Sequence, residues 1–265
     1  MNVLVLTDLS DVAKNAGSYA VQFLADIPVH FYLLNIKLFH PDQSEPDYDN
    51  KTRDLALGKL QQRVNELKEL STNPDHRFSV IYSENDLVGA TRKFVEEKKI
   101  DLIVMGAANK LHCPNTIIGN HTYEVITKIK CNILAVAENS RYRVPRRMVF
   151  PIDYGVSLEQ QNLRFLQRPQ IAEKAGITVV EVGYETATER AENPLFEQLQ
   201  NRQLETRKMP ASEAFSEDRL KLLQQEFDLI VLLGKNINIC SELLHTRKGL
   251  YSRVTNELPI LVLHQ

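Results

Sequence analysis

The sequence predicts an α/β fold of two similar domains, each a five-stranded parallel sheet with helices on both faces, related by a pseudo-twofold axis. Short apolar runs alternate with longer segments of helical periodicity, which is the pattern of βαβ units. The pattern restarts at residue 147, and Asp228–Gly234 (DLIVLLG) repeats Asp101–Gly106 (DLIVMG). An internal repeat of this kind indicates that a whole domain has been duplicated.

Composition and charge exclude several classes of protein. The chain has 265 residues, of which 43% are hydrophobic and 25% are charged, as in ordinary globular proteins. A net charge of −2 gives no reason to expect a nucleic-acid partner, and no apolar run reaches the ~18 residues of a membrane helix. The first residues lack the basic segment of a signal peptide. Cys113, Cys131 and Cys240 cannot all pair, so we expect a reducing, cytoplasmic location.

The first half of the chain begins with an apolar run, Asn2–Thr7, which predicts a strand with Asp8 at its carboxyl end. Ser10 or Asp11 is expected to cap the helix that follows, because both side chains accept hydrogen bonds from amides of a first helical turn. Further strands are predicted at Val29–Ile36, Phe78–Tyr82, Leu102–Met105 and Cys131–Val136, with a surface loop at Phe39–Asn50. Further helices are predicted around Leu57–Leu67, after Asn85 or Asp86, and after Gly119.

The segment 138–147 (ENSRYRVPRR) is polar and contains a proline, so it predicts a solvated linker between domains 1–138 and 147–265. The alternative is that its arginines meet an acidic protein partner. The second half then repeats the strands, at Arg147–Asp153, Ile177–Val182, Glu205–Met209, Asp228–Leu233 and Leu258–Leu263.

The last run of each half is apolar and would leave a sheet edge open if it stayed unpaired. We therefore expect Asn132–Val136 to lie beside Leu258–Leu263, which would make the chain an intramolecular pseudo-dimer. Further assembly into a homodimer stays open.

One stretch carries a candidate site. Met105 and Gly106 end a buried strand, a polar loop follows, and Gly119 precedes a short helix. The amino end of a helix beyond the carboxyl end of a strand can hold an anion, because its backbone N–H groups are free and its dipole favours negative charge.

This stretch resembles the nucleotide loop of the universal stress protein family. Nucleotide-binding members carry the motif G-x2-G-x9-G-[ST] after a strand that ends in Met-Gly. Gly106 and Gly119 match the first and third glycines at the motif's spacing, thirteen residues apart. Asn109 replaces the second glycine, and Asn120 replaces the final serine or threonine. Both halves match the family's strand pattern, so the chain is similar to a tandem member. In that family paired domains commonly join through their last strands, so the resemblance also implies that Asn132–Val136 lies beside Leu258–Leu263.

The resemblance implies a site for ATP or another adenine nucleotide, with magnesium only as the companion of the nucleotide. An aspartate that ends the first strand contacts the base in binding relatives, which assigns that role to Asp8. Asn120 is expected to be the N-cap of the helix. The implied binding residues are Asp8, Ile36, Met105, Gly106, Asn109, Gly119 and Asn120.

Other interpretations of the same residues stay open. Asp8 is alternatively a strand-end carboxylate that caps the next helix, and the glycines are alternatively ordinary loop residues. Relatives that bind nucleotide often have proline two residues before the aspartate, whereas this chain has Leu6. In the second half Ile237 and Arg247 stand where the glycines are expected after Gly234, so we expect nucleotide in the first half only.

His112, Cys113 and His121 share the loop and the helix start, but no further ligand completes a metal set, so no metal site is predicted. The sequence has no G-x-S-x-G, P-loop or H-E-x-x-H motif, and we expect no enzyme activity. The expected function is that of a non-catalytic stress-response protein. The alternatives are a ligand-free interaction protein and, on fold analogy alone, a nucleotide hydrolase.

Overall fold

The computed structural model describes residues 1–36, 46–108, 118–153, 160–168, 171, 175–182, 199, 203–209, 223–234 and 257–264. In the first half, strands and helices alternate as the sequence predicts. The elements of the first half are β1 (Asn2–Leu6), α1 (Asp11–Phe23), β2 (His30–Ile36), α2 (Pro46–Leu70), β3 (Arg77–Ser83), α3 (Leu87–Glu97), β4 (Leu102–Gly106), α4 (Asn120–Lys128) and β5 (Asn132–Val136). Those of the second half are β6 (Arg147–Asp153), α5 (Gln160–Gln167), β7 (Gly176–Val182), β8 (Leu204–Met209), β9 (Leu229–Leu233) and β10 (Ile260–Leu263).

All ten described strands form one sheet, in the order β3-β2-β1-β4-β5-β10-β9-β6-β7-β8. Within each half every neighbouring pair is parallel, as predicted, whereas β5 and β10 are antiparallel. The two halves therefore lie edge to edge in a continuous sheet and do not form two separate sheets. The domain boundaries at residues 138 and 147 stay a prediction.

The β5–β10 pair carries the pseudo-twofold axis. Leu134 lies opposite Leu261, and on either side Ala135 faces Ile260 and Ile133 faces Val262. Ile133 and Ile260 hold equivalent places in the two halves, so a half-turn about the central leucine pair exchanges the strands. The predicted pairing of the last strands is confirmed.

Helices cover both faces of the sheet. Buried side chains of α1, α2 and α5 pack on one face, and those of α3 and α4 pack on the other. In the second half Leu223 and Phe227 join the α3–α4 face, so both halves have two covered faces. Strands such as β4 and β9 are covered on both faces of the sheet, so side chains that point to either face are buried. This is why these strands are continuously apolar.

Local sequence sets the helix starts. Ser10 accepts a hydrogen bond from the backbone N–H of Ala13 at the start of α1, and Asp86 accepts one from Gly89 at the start of α3. Both caps agree with the sequence prediction. No described helix combines the length and the apolar character needed to cross a membrane.

Two segments differ from expectation. Helix α2 begins at Pro46, inside the predicted loop 39–50, because proline is well suited to the first position of a helix. The predicted solvated linker is partly packed: Ser140 and Pro145 are buried, and the ring of Tyr142 meets that of Tyr19 at 5.4 Å. Its arginines are exposed, as predicted.

Candidate functional site

The candidate site lies where the direction of winding reverses in the first half. Strand β1 has β2 on one side and β4 on the other, while α1 and α2 cover one face and α3 and α4 cover the other. Ligands of open α/β sheets bind in the crevice outside the carboxyl ends of the strands at such a point. Asp8, Ile36, Met105 and Gly106 all come at these strand ends.

Asp8 lies in a tight turn between β1 and α1. Its carboxylate Oδ1 accepts hydrogen bonds from the Ser10 backbone N–H, at 3.0 Å, and from the Ser10 hydroxyl. The backbone N–H of Leu9 donates to Thr7 Oγ1 at 3.0 Å, and Leu9 has a φ of 66°. The Asp8 side chain is exposed, and its bonds to Ser10 hold the start of α1. Its contact with a base stays a prediction.

Ile36 and Met105 lie on the same face of the sheet as α3 and α4. Ile36 is half-buried at the end of β2, where its side chain can meet a ligand in the crevice. Met105 is only 6% exposed and packs mainly into the core. Its contact with a base or a ribose stays a prediction, and the structure gives this side chain a packing role as well.

Gly106 is needed for packing between α1 and β4. A Cβ atom at this position would lie 2.8 Å from Val12 Cγ2 and 3.2 Å from Val12 Cγ1. Real Cβ atoms essentially never approach other heavy atoms so closely, so a side chain at residue 106 would force Val12, in the first turn of α1, to shift. The sequence pointed to Gly106 for phosphate access, and the structure adds this independent reason for a glycine.

The amino end of α4 returns to the end of β4. The backbone N–H of Gly119 donates to the Ala107 carbonyl at 2.7 Å, and the Thr122 hydroxyl donates to the Gly106 carbonyl at 2.8 Å. Gly119 is the N-cap, which corrects the prediction for Asn120: this residue is the first of the helix and is exposed. Because the cap residue has no side chain, it makes no side-chain hydrogen bond to the amides of the first turn.

Asn109, His112 and Cys113 lie outside the described residues, as does the rest of the loop 109–117. His121 is exposed. Across the described residues, no group of three or more histidine, cysteine, aspartate or glutamate side chains is arranged to hold a metal ion. The Cys131 thiol is buried, and burial, together with the nearby Asp101 charge, raises its pKa to about 12. This thiol therefore stays protonated and belongs to the core.

Sequence reasoning missed the residues that support the site. Asn35 is 8% exposed and its side-chain amide donates to the Thr7 carbonyl at 2.8 Å. Asn15 donates to the carbonyls of Ala137 and Ser140, at 2.9 Å and 2.8 Å, and so ties α1 to the end of β5. The available signal was a lone asparagine within an otherwise apolar strand, which needs a partner when buried.

The second half differs from the first at the glycine position. Asp101 Oδ2 accepts from the Asn2 backbone N–H at 2.8 Å, and Asp228 Oδ2 accepts from that of Arg147 at 3.0 Å, so the two aspartates are equivalent. Counting from them, Leu233 is the counterpart of Gly106.

Gly234 is therefore the counterpart of Ala107. Its backbone N–H donates to the Leu263 carbonyl at 2.8 Å, and that of Ala107 donates to the Val136 carbonyl at 2.8 Å. The sequence repeat had matched Gly234 with Gly106, and the strand register corrects this match. Ile237 and Arg247 lie outside the described residues.

Comparison with known proteins identifies the family. The profile of the universal stress protein family matches residues 1–137, which is more than half of the chain. The chain belongs to the universal stress protein family. A universal stress protein of Methanocaldococcus jannaschii is 23% identical over 136 residues, which cover 51% of this chain and 80% of that relative.

Solved structures share the fold of the whole chain. A universal stress protein from Archaeoglobus fulgidus covers 100% of this chain, with 96% of its own length matched, a TM-score of 0.69 and 14% identity. A functionally unknown protein from Pseudomonas aeruginosa covers 99% of this chain, with 92% of its own length matched, a TM-score of 0.55 and 16% identity. At these identities the likeness concerns the fold, and it extends over both halves of this universal stress protein.

Proposed function

We propose that this universal stress protein binds an adenine nucleotide in its first half, at the carboxyl ends of β1, β2 and β4, and acts through the bound state without a catalytic step. The observation that carries the proposal is the amino end of α4. It meets the end of β4 at a glycine cap, and this cap supplies no side-chain hydrogen bond to the first amides of the helix.

These amides can hold the phosphates. The first intrahelical bond of α4 runs from the Tyr123 N–H to the Gly119 carbonyl, so the N–H groups of Asn120 and His121 precede the helical ladder. Free amides at a helix start and the helix dipole both attract anions. The first turn of α4 contains no acidic side chain that would repel a phosphate.

The conformation of Gly119 leaves room for this approach. Its φ of −72° is accessible to any residue, and a Cβ there would lie 3.6 Å from the nearest neighbouring atom, which is an ordinary contact. Among the described residues, neither backbone strain nor packing therefore requires a glycine. Access of a ligand to the amides is a reason that fits this position, because a side chain would stand beside them.

The base would lie near Asp8 and Ile36. Asp8 is exposed at the end of β1, and Ile36 is half-buried at the end of β2 beside it. A carboxylate can accept a hydrogen bond from the exocyclic amine of adenine, and an aliphatic side chain can pack on the ring. In the second half Leu233 stands at the counterpart of Gly106, so we expect no equivalent site there.

Titration calorimetry with ATP tests the proposal. The wild-type chain should bind, and Gly119→Val should abolish binding, because the new side chain stands beside the α4 amides. Asn109→Gly, which restores the family motif, should tighten binding. Gly58→Val is the matched control, since Gly58 has nothing within 4 Å of its Cβ position on α2. Binding that ignores Gly119→Val would place the ligand elsewhere.

A ligand-free interaction protein is the second candidate. It is favoured by the fact that Asp8 already accepts two hydrogen bonds from Ser10, and that packing against Val12 already accounts for Gly106. Mass spectrometry of small molecules released by heat from freshly purified protein separates the two candidates. Release of an adenine nucleotide supports the first, whereas an empty protein that also fails to bind ATP supports the second.

A further inference from the structure

Asn35 is a buried polar residue that the proposed site does not yet use. It lies near the end of β2, and its neighbours Leu33 and Leu34 are fully buried. The β1–β2 register ends at the pair Leu6–Leu34, and the side-chain amide of Asn35 donates to the next carbonyl of β1, that of Thr7, at 2.8 Å. A buried amide that reaches across to a neighbouring strand end fixes the path of that strand.

The path matters because the residues after Thr7 form a strained turn. Leu9 has a φ of 66°, a conformation that costs a non-glycine residue of order 1 kcal/mol or more. The Thr7 hydroxyl accepts the Leu9 N–H at 3.0 Å, and the Asp8 carboxylate accepts the Ser10 N–H at 3.0 Å. Thr7 is tied to β2 at two backbone atoms: its N–H donates to the Leu34 carbonyl at 2.9 Å, and its carbonyl accepts from the Asn35 amide. The Asn35 bond is the one that orients the peptide between Thr7 and Asp8, which leads into the turn.

We propose that Asn35 is the positioning residue for Asp8. By holding the Thr7 carbonyl, Asn35 fixes the turn at Leu9 and so sets the direction in which the Asp8 carboxylate faces an adenine base. This role rests on the proposed nucleotide site. It adds a specificity determinant for the base, separate from the phosphate-binding end of α4.

Adenosine is the probe, because it carries the base without the phosphates and has no charge near neutral pH. Asn35→Leu removes the amide but keeps an aliphatic volume, and it should weaken adenosine binding about tenfold, the effect of one lost hydrogen bond. The further gain in affinity from adenosine to ATP should stay unchanged, since the phosphates meet α4. Gly119→Val should instead keep adenosine affinity and lose ATP binding, because the new side chain blocks the place of the phosphates and not that of the base.

Asn73→Leu is the matched control. The Asn73 amide makes the same type of bond, to the Ala25 carbonyl at 2.7 Å, but between the loops that lead into β2 and β3. This variant should lose stability and keep adenosine affinity. Asn35→Asp adds a pH readout: its carboxyl can donate to the Thr7 carbonyl only when protonated. Adenosine affinity should therefore recover as the pH falls from about 7 to about 5, in contrast to the wild type.

Amide hydrogen exchange of the ligand-free protein distinguishes a failure of the proposed nucleotide site from a failure of the positioning role of Asn35. Exchange at Leu9 and Ser10 should speed up in Asn35→Leu and stay slow in Asn73→Leu. If the wild type binds no adenine compound but the turn loosens in Asn35→Leu, the proposed function fails while the positioning role stands. If the wild type binds adenosine and Asn35→Leu binds equally well, or if the turn does not loosen, the positioning role is overturned.

Discussion

At the scale of single residues, two close contacts at strand ends constrain the chain. Val12 of α1 covers Gly106 at the end of β4, and in the second half the ring of His264 covers Gly234 so closely that a Cβ there would overlap it. Both glycines are thus fixed by packing. The first contact lies at the candidate nucleotide site, so its packing cost and its role in binding need separate measurements.

Gly106→Ala should lower the free energy of unfolding by about 1–3 kcal/mol, the usual cost of overpacking. The new Cβ would meet both methyl groups of Val12. In a Val12→Ala background the same substitution should cost less, because the clashing methyl groups are gone. Urea unfolding of the four proteins gives this coupling, and an additive result would contradict the contact.

Gly58→Ala supplies the control for that cycle. Gly58 is exposed within α2, and nothing lies within 4 Å of its Cβ position. An alanine there should raise the free energy of unfolding by about 0.5–1 kcal/mol, because glycine has more freedom to lose in a helix. A destabilising effect at both glycines would show that the method does not distinguish packing from propensity.

His264 makes stability depend on pH. Burial, and to a lesser extent the nearby charge of Lys130, lowers the pKa of its imidazole from 6.5 to about 4. The unfolded chain therefore binds the proton more readily, and the stability that is fully present above pH 6.5 is lost as the pH falls towards 4. After discounting for partial solvent access, the loss is of order 2 kcal/mol.

His264→Phe tests this assignment, because phenylalanine keeps a ring of similar size against Gly234 but does not titrate. Thermal unfolding at several pH values should show a shallower fall for the variant between pH 6.5 and 4 than for the wild type. Parallel curves for the two proteins would show that other groups produce the acid sensitivity.

At the scale of elements, helix α3 ends with a lysine at a position where glycine is the favoured residue. Lys98 is the C-cap, Lys99 follows with a φ of 49°, and the Ile100 N–H donates to the Val95 carbonyl at 3.0 Å. This is the arrangement that ends many helices with a residue in the left-handed region, where glycine is preferred. A lysine there is strained, while the hydrogen bond that closes the helix is made.

Lys99→Gly should therefore raise the free energy of unfolding by about 0.5–1 kcal/mol. Glycine relieves the backbone strain at this position, and part of that gain is offset because glycine also gives the unfolded chain more conformational freedom. Lys93→Gly, at an exposed position inside α3, should lower it by about 1 kcal/mol. Urea unfolding measures both. If both substitutions lower the free energy of unfolding by the same amount, the end of α3 is not strained.

At the scale of the whole molecule, the two halves are joined by backbone pairing and by contacts across the centre. The pairing of β5 with β10 is fully buried. Arg168, just after α5, pairs with Asp101 before β4 at 2.7 Å, and the Ser140 hydroxyl of the linker donates to the Glu257 carbonyl. The ion pair is partly exposed, so we expect it to contribute little.

Cleavage of the linker should leave the halves associated. Val144 is 63% exposed, so a protease site can be introduced between Arg143 and Val144. The cleaved protein should elute from a sizing column as one species, in the wild type and in Arg168→Ala, because the buried strand pairing holds it. Elution as two separate soluble halves would show that the covalent linker is required.

The fold class, the repeat of the strand pattern and the helix caps at Ser10 and Asp86 could all be predicted from the sequence. Apolar periodicity and capping act over a few neighbouring residues, so they are readable in one chain. The sequence also placed Asp8 and Gly106 at one edge of the sheet, because the carboxyl ends of parallel strands meet there.

The residues that support that edge become visible in the three-dimensional structure. The buried bond of Asn35 and the contact of Val12 with Gly106 join residues that are far apart in sequence. A local pattern can indicate that Asn35 needs a partner, but it does not say which residue the partner is. The sequence repeat matched Gly234 with Gly106 because the two residues are of the same type and follow similar apolar runs. The backbone hydrogen bonds between strands fix the register, and this register makes Leu233 the counterpart of Gly106.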